Sequence, residues 1–260
     1  MNNWAYLLIK IVSVPIFILI VTIGGRRWGH SIGGLIVGLP LTSGPVLFFL
    51  VLEQGTRFGV GAAEGILMGL VSVSTACLVY SKLAFRTSWP LSVVGASATF
   101  FTVGVMLYFI LPPIIVAFVG VLVILMIILR LLESKDVPNV MQAPPRWEIP
   151  TRIIASTAVV VLITEGATLL GAHLSGLLTP FPAYAIVLST FIHKLDGAGA
   201  TTLFLRGVVY GSFTAASFFF VNTFLLAQFG LLATMSIAVA AGVAMHSILF
   251  HFLKKGTLRV

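Results

Sequence analysis

Residues 90–132 read PLSVVGASATFFTVGVMLYFILPPIIVAFVGVLVILMIILRLL, 43 positions that carry one charge, Arg130. A helix needs about 20 apolar residues to cross the hydrocarbon of a bilayer. The stretch is too long for one crossing and suits two. Pro112-Pro113 divides it, because proline lacks a backbone N–H, clashes with the preceding turn and suits a tight reversal. Helices are therefore expected at 90–111 and 113–132, and this division sets the sidedness of every later segment.

Worked outward, the same reading gives helices at 4–23, 31–52, 59–80, 152–173, 176–193, 200–225 and 230–252, nine in all. Of the 260 residues 59% are hydrophobic and 8% charged, against about 25% charged in a soluble domain. Mean hydropathy is +1.14. The apolar runs are near-continuous, unlike the alternating segments of about 10 residues that build membrane barrels. Helices satisfy their own backbone in lipid. The expectation is an all-α polytopic membrane protein, residues 1–260 forming a single membrane domain. The first 23 residues lack the basic start of a cleavable signal and precede Arg26 and Arg27 rather than small residues.

The basic residues test the count. Nine helices put Arg26, Arg27, Lys82, Arg86, Arg130, Lys135, Arg146, Arg152, Lys194, Lys254, Lys255 and Arg259 on one side, and Arg57 alone on the other. Joining 90–132 into one helix would largely erase that bias. Cytoplasmic loops collect Lys and Arg, so the N-terminus is expected outside and the C-terminus in the cytoplasm, in a cell (inner) membrane. Trp4, Trp28, Trp89 and Trp147 fall at expected interfaces. The same rule accounts for the net charge of +8 without nucleic acid as a partner. Residues 133–150 read as a cytoplasmic linker.

A repeat runs through the chain. Gly34-Leu35-Ile36-Val37-Gly38-Leu39-Pro40 lies on Gly176-Leu177-Leu178-Thr179-Pro180-Phe181-Pro182, 142 residues on. The same offset pairs Phe49 with Phe191, Gly55 with Gly197, Gly65 with Gly207 and Gly69 with Gly211. Most of these identities are Gly or Pro, which mark backbone geometry rather than apolarity. Two repeats of four helices, 4–111 and 152–252, are then joined by the connecting helix 113–132, a 4+1+4 plan. The odd connecting helix makes the second repeat start on the opposite side from the first, so the repeats have inverted topology.

In each repeat the second helix is interrupted, by Gly38, Pro40, Gly44 and Pro45 in one and by Pro180 and Pro182 in the other. Paired broken helices point to a substrate site near the midplane of inverted-repeat transporters. Residues expected to form it are Pro40, Thr42, Ser43, Pro182, Tyr184 and Arg206. Charges within apolar helices are costly and usually face the interior, so Glu64, Glu165 and Arg206 are read as coupling or gating groups. Glu64 and Arg206 are themselves 142 apart. Lys10 is read as snorkelling outward.

Cys77 is the only cysteine, which rules out a disulfide within the chain and a cysteine metal cluster. His30, His173, His193, His246 and His251 lack metal-site spacing, and no nucleotide loop, nucleophile elbow or H-E-x-x-H occurs. No cofactor, metal or enzymatic activity is expected.

Ser175-Gly176-Leu177-Leu178-Thr179-Pro180-Phe181-Pro182-Ala183-Tyr184-Ala185-Ile186 and Leu205-Arg206-Gly207-Val208-Val209-Tyr210 resemble the second-helix and third-helix motifs of the small four-helix inner-membrane proteins of the GlpM/YdgC type. The resemblance covers about 155–252. The first repeat keeps Gly34, Leu35 and Pro40 but has Leu39 for the phenylalanine and Glu64 for the arginine. It implies a fused, antiparallel pair of such units, leaves a homodimer open, and names no substrate.

The function expected is a secondary transporter, an exporter, for a small-molecule, ionic or lipid-linked substrate, with membrane lipid as its other partner. An anion would suit Arg206 and the positive ends of broken helices; a lipid-linked substrate would suit Phe218, Phe219 and Phe220. An ion channel of fused fluoride-channel-like plan is the alternative, since Thr201-Thr202-Leu203-Phe204 faintly resembles a Thr-Thr-Phe segment, although repeat one has no counterpart. A lipid-linked substrate flippase or an envelope scaffold is the other.

Overall fold

A computed structural model describes residues 12, 16, 29–40, 43–110, 112–132 and 147–254. The helix expected at 4–23, with Lys10, lies outside them except for Val12 and Ile16, both helical. Residues 133–146 of the linker, Thr42, and the side chains of Tyr184 and His30 lie outside them as well.

The described chain is helical: α1 Gly29–Gly38, α2 Ser43–Gln54, α3 Thr56–Ala84, α4 Trp89–Tyr108, α5 Ile114–Leu131, α6 Glu148–Glu165, α7 Ala167–Leu178, α8 Ala183–Leu195 and α9 Gly197–Lys254. These segments do not correspond one to one with the expected helices. The run expected at 31–52 is split into α1 and α2. The turn expected at 174–175 is absent; the chain bends at Gly171 instead, with φ 74° and ψ 168°. His173 and Ser175 sit inside α7, with Ser175 fully buried. The gap expected at 226–229 is also helical, and α9 bends only at Gly230, with φ 72° and ψ 178°. Beyond that bend α9 folds back: a Cβ on Gly242 would meet the Thr214 methyl at 3.2 Å. Pro112 and Pro113 separate α4 from α5 as read, and Pro113 stands at the N-cap of α5.

Five stretches are long and apolar enough to cross a membrane: Leu35–Gln54, Thr56–Ala84, Trp89–Tyr108, Ile114–Leu131 and Gly197–Ile248. Large apolar side chains are exposed along the outside of α4, α5 and the last part of α9, among them Val94, Val105, Ile115, Val119, Leu232 and Val243. The core is built around α3 and the first part of α9, which pack together and carry its largest buried side chains, among them Tyr80, Phe204, Tyr210 and Phe219. The connecting helix α5 lies against both.

The two halves exchange their broken helices. α1 packs on α9 and α7 packs on α3. The contacts are backbone to backbone: a Cβ on Gly38 would come within 2.8 Å of the Gly211 Cα, and one on Gly176 within 2.8 Å of the Gly65 Cα. Only glycine allows such an approach.

Residues 142 apart also share backbone state. Gly55 joins α2 to α3 with φ 88°, and Gly197 joins α8 to α9 with φ 85°. The breaks use the same hydrogen bonds: Leu39 N–H donates to the Ile36 carbonyl at 3.2 Å and Phe181 N–H to Leu178 at 3.0 Å. Gly44 N–H donates to the Pro40 carbonyl at 2.8 Å, and Ile186 N–H to Pro182 at 2.7 Å.

Candidate substrate cavity at the helix breaks

Proline and the lost N–H donors end α1 and α7, and α2 and α8 restart within a few residues. The ends meet around a cavity of about 50 Å³. Its wall is made of equivalent positions from the two halves: Gly38 with Pro180, Leu39 with Phe181, Ser43 with Ala185, Leu70 with Ser212, and Val73 with Ala215. Members of each pair are 142 residues apart. Both members of five such pairs therefore wall one void.

Of the expected site residues, Ser43 and Pro182 both line this cavity. Pro40 is half-buried at the break and accepts the Gly44 hydrogen bond. Phe181 is clamped between the rings of Phe100 and Phe101, at 5.2 and 5.4 Å. Ser212 donates to the Val208 carbonyl at 3.0 Å. The first turn of α8 has no side-chain cap, and the first amides of a helix lack intrahelical partners. Ala185, in that turn, lines the wall.

Arg206 is not brought to the cavity. Its Nη1 donates to the Leu132 carbonyl at 2.8 Å, at the C-terminal end of α5, and its guanidinium lies 5.9 Å from the Tyr210 ring centre. A cation there complements the negative end of the α5 dipole. Glu64 is half-buried on α3, and Glu165 is the exposed last residue of α6. Neither lines the cavity. The phenylalanines read as suiting a lipid-linked substrate do not form a lipid-facing surface together. Phe218 and Phe219 are core residues, while Phe220 stacks on Phe118 of α5 at 4.2 Å. Thr202 of the Thr-Thr-Leu-Phe segment shares a 2.8 Å hydrogen bond with Ser81, tying α9 to α3. Among the described residues no group of three His, Cys, Asp or Glu is placed to hold a metal ion.

Sequence reasoning missed Leu70, Val73, Ala185, Ser212 and Ala215. The signal was the repeat offset, which carries Ser43 to Ala185 and Leu70 to Ser212. No protein family's sequence profile, no curated protein and no solved structure matches the chain.

Proposed function

We propose that the chain is a secondary transporter of the inner membrane that moves a small anion through the cavity at the helix breaks. In this reading it has nine crossings. Two four-helix halves, of the GlpM/YdgC kind and of opposite orientation, are fused through α5. The N-terminus is outside and the basic face is cytoplasmic. The observation that carries the reading is the cavity wall built from both members of five offset-related pairs. Broken helices meeting at one point between inverted halves are the usual seat of a transported solute.

Cavity size selects among substrate classes. A water needs roughly 10–15 Å³ measured this way, so about 50 Å³ has room for a small ion with little of its hydration. Among the described residues no carboxylate lines the wall, and the uncapped first turn of α8 forms part of it through Ala185. The net charge of +8 favours anion approach. Glu64 and Arg206, at equivalent positions, are proposed to set the field at opposite ends of the path. A channel is the second reading, favoured by the same small volume.

Flux in proteoliposomes separates them, with fluoride, organic anions, amphipathic cations and polyprenyl phosphates tested with and without a pH gradient. The expected result is saturable, gradient-driven flux of a small anion, directed outward. Ser212→Leu abolishes it while the protein stays folded, because the equivalent position already holds Leu70. Unsaturable, uncoupled conduction would establish the channel. No flux of any class would leave an envelope scaffold.

A further inference from the structure

Beside the central cavity lies a second void of about 10 Å³, the room of about one water; it shares Pro182 and Ala185 with the first and lies between α3 and α8, lined by Ala76, Cys77, Tyr80 and Ser189. Ser189 is 0% exposed and its Oγ has no hydrogen-bond partner. One turn further, His193 stands edge-on to Tyr80 with ring centres 6.0 Å apart, and its buried Nδ1 is also without a partner. Unpartnered buried polar atoms beside a void are costly unless water or a ligand reaches them. The same end of the helices carries exposed Lys82, Arg86 and Lys194, with Asp196 at the C-cap of α8 and Glu148 at the start of α6 as the carboxylates among the described residues.

The equivalent path in the other half is filled. Shifting by 142 turns Ala76 into Phe218, Cys77 into Phe219, Tyr80 into Asn222, and Ser189 back into Leu47. Phe218 and Phe219 are buried, and the Phe218 ring lies 3.8 Å from where a Cβ of Gly44 would stand. Space that Ala76 and Cys77 leave open on one side is occupied by two phenyl rings on the other.

We propose that Tyr80, Ser189 and His193 form a wet, anion-admitting track from the Lys82–Lys194 face to the central cavity, and that Phe218 and Phe219 close the opposite side. This rests on the transporter reading of the cavity. The Tyr80 and Ser189 hydroxyls supply donors along the track, and the basic mouth concentrates anions.

Cys77, the only thiol in the chain, reports directly. The full chain would be reconstituted in vesicles of known sidedness and treated with membrane-impermeant methanethiosulfonates of either charge. Cys77 should be modified from the Lys82–Lys194 face alone, with the negative reagent faster by about tenfold or more, as focusing by a basic mouth predicts. Ser189→Cys in a Cys77→Ala background should behave the same way. Phe219→Cys in that background should stay unmodified from the opposite face until Phe218→Ala is added. Two results overturn the track: both thiols silent from that face although they label after denaturation, or equal labelling from both faces. A faster positive reagent overturns its anion character. Because labelling needs no flux, one-sided labelling without transport counts against the transporter reading alone. Transport without labelling counts against the track alone.

Discussion

At the residue scale, glycines do two different jobs that predict different responses. Gly55 and Gly197 hold a backbone state that only glycine adopts freely, yet nothing lies within 4 Å of a Cβ added to either. Alanine there costs conformational strain alone, about 1–3 kcal/mol. The two costs should agree, because the two turns share one geometry; thermal unfolding in detergent measures both. Gly211 is helical and its Cβ would collide with the Gly38 backbone across the α1–α9 crossing. Gly211→Ala should cost a similar amount, about 1–3 kcal/mol, by overpacking. It should also loosen the cavity that the crossing supports, so flux falls along with stability, whereas Gly55→Ala lowers stability first. Arg206 makes a third kind of prediction. Its hydrogen bond to the Leu132 carbonyl holds the end of the connecting helix, and a charged donor contributes about 1.5–3 kcal/mol. Arg206→Ala should lower the unfolding temperature and, by removing the field at one end of the path, also weaken anion flux.

At the element scale, the breaks and bends decide what each helix can do. A straight helix of 58 residues would run about 87 Å, far beyond a bilayer core of about 30 Å. Gly230 makes α9 two helices, and Gly242 beside Thr214 shows the second lying back on the first. The breaks at Pro40 and Pro180–Pro182 expose helix ends at the cavity instead. Replacing Pro180 and Pro182 together by alanine should let α7 run toward α8. The expected outcome is a small gain in helical signal by circular dichroism with flux abolished. Retained flux would mean that the break is only a kink. The prolines marked this interruption in the sequence because their effect is local. The bend at Gly171 was not legible: one glycine in an apolar run looks like any other, and the break was expected at 174–175, where the packing of α7 on α3 keeps the chain helical.

At the scale of the whole molecule, the exposed apolar surface of α4, α5 and late α9 surrounds a core centred on α3 and α9. The proposed sidedness rests on the basic residues. Reporter fusions after Tyr108 and after Lys254 should report opposite faces of the membrane, the second cytoplasmic. The same face for both would remove the nine-crossing plan.

Composition, run length and the double proline were enough to determine a helical chain with several segments able to span a membrane, and the places where two of its helices stop. These properties are local, since each depends on the residues of one segment and on how their backbone bonds are satisfied. Only the tertiary structure decided that α1 leaves its own half to pack on α9 while α7 packs on α3. It alone placed Arg206 at the end of α5 rather than at the cavity, and it gathered Ser43, Pro182 and Ser212 around one void. Those outcomes depend on close packing between segments far apart in the chain, where a missing Cβ at Gly38 or Gly65 sets the approach of two backbones, and no single segment carries that information.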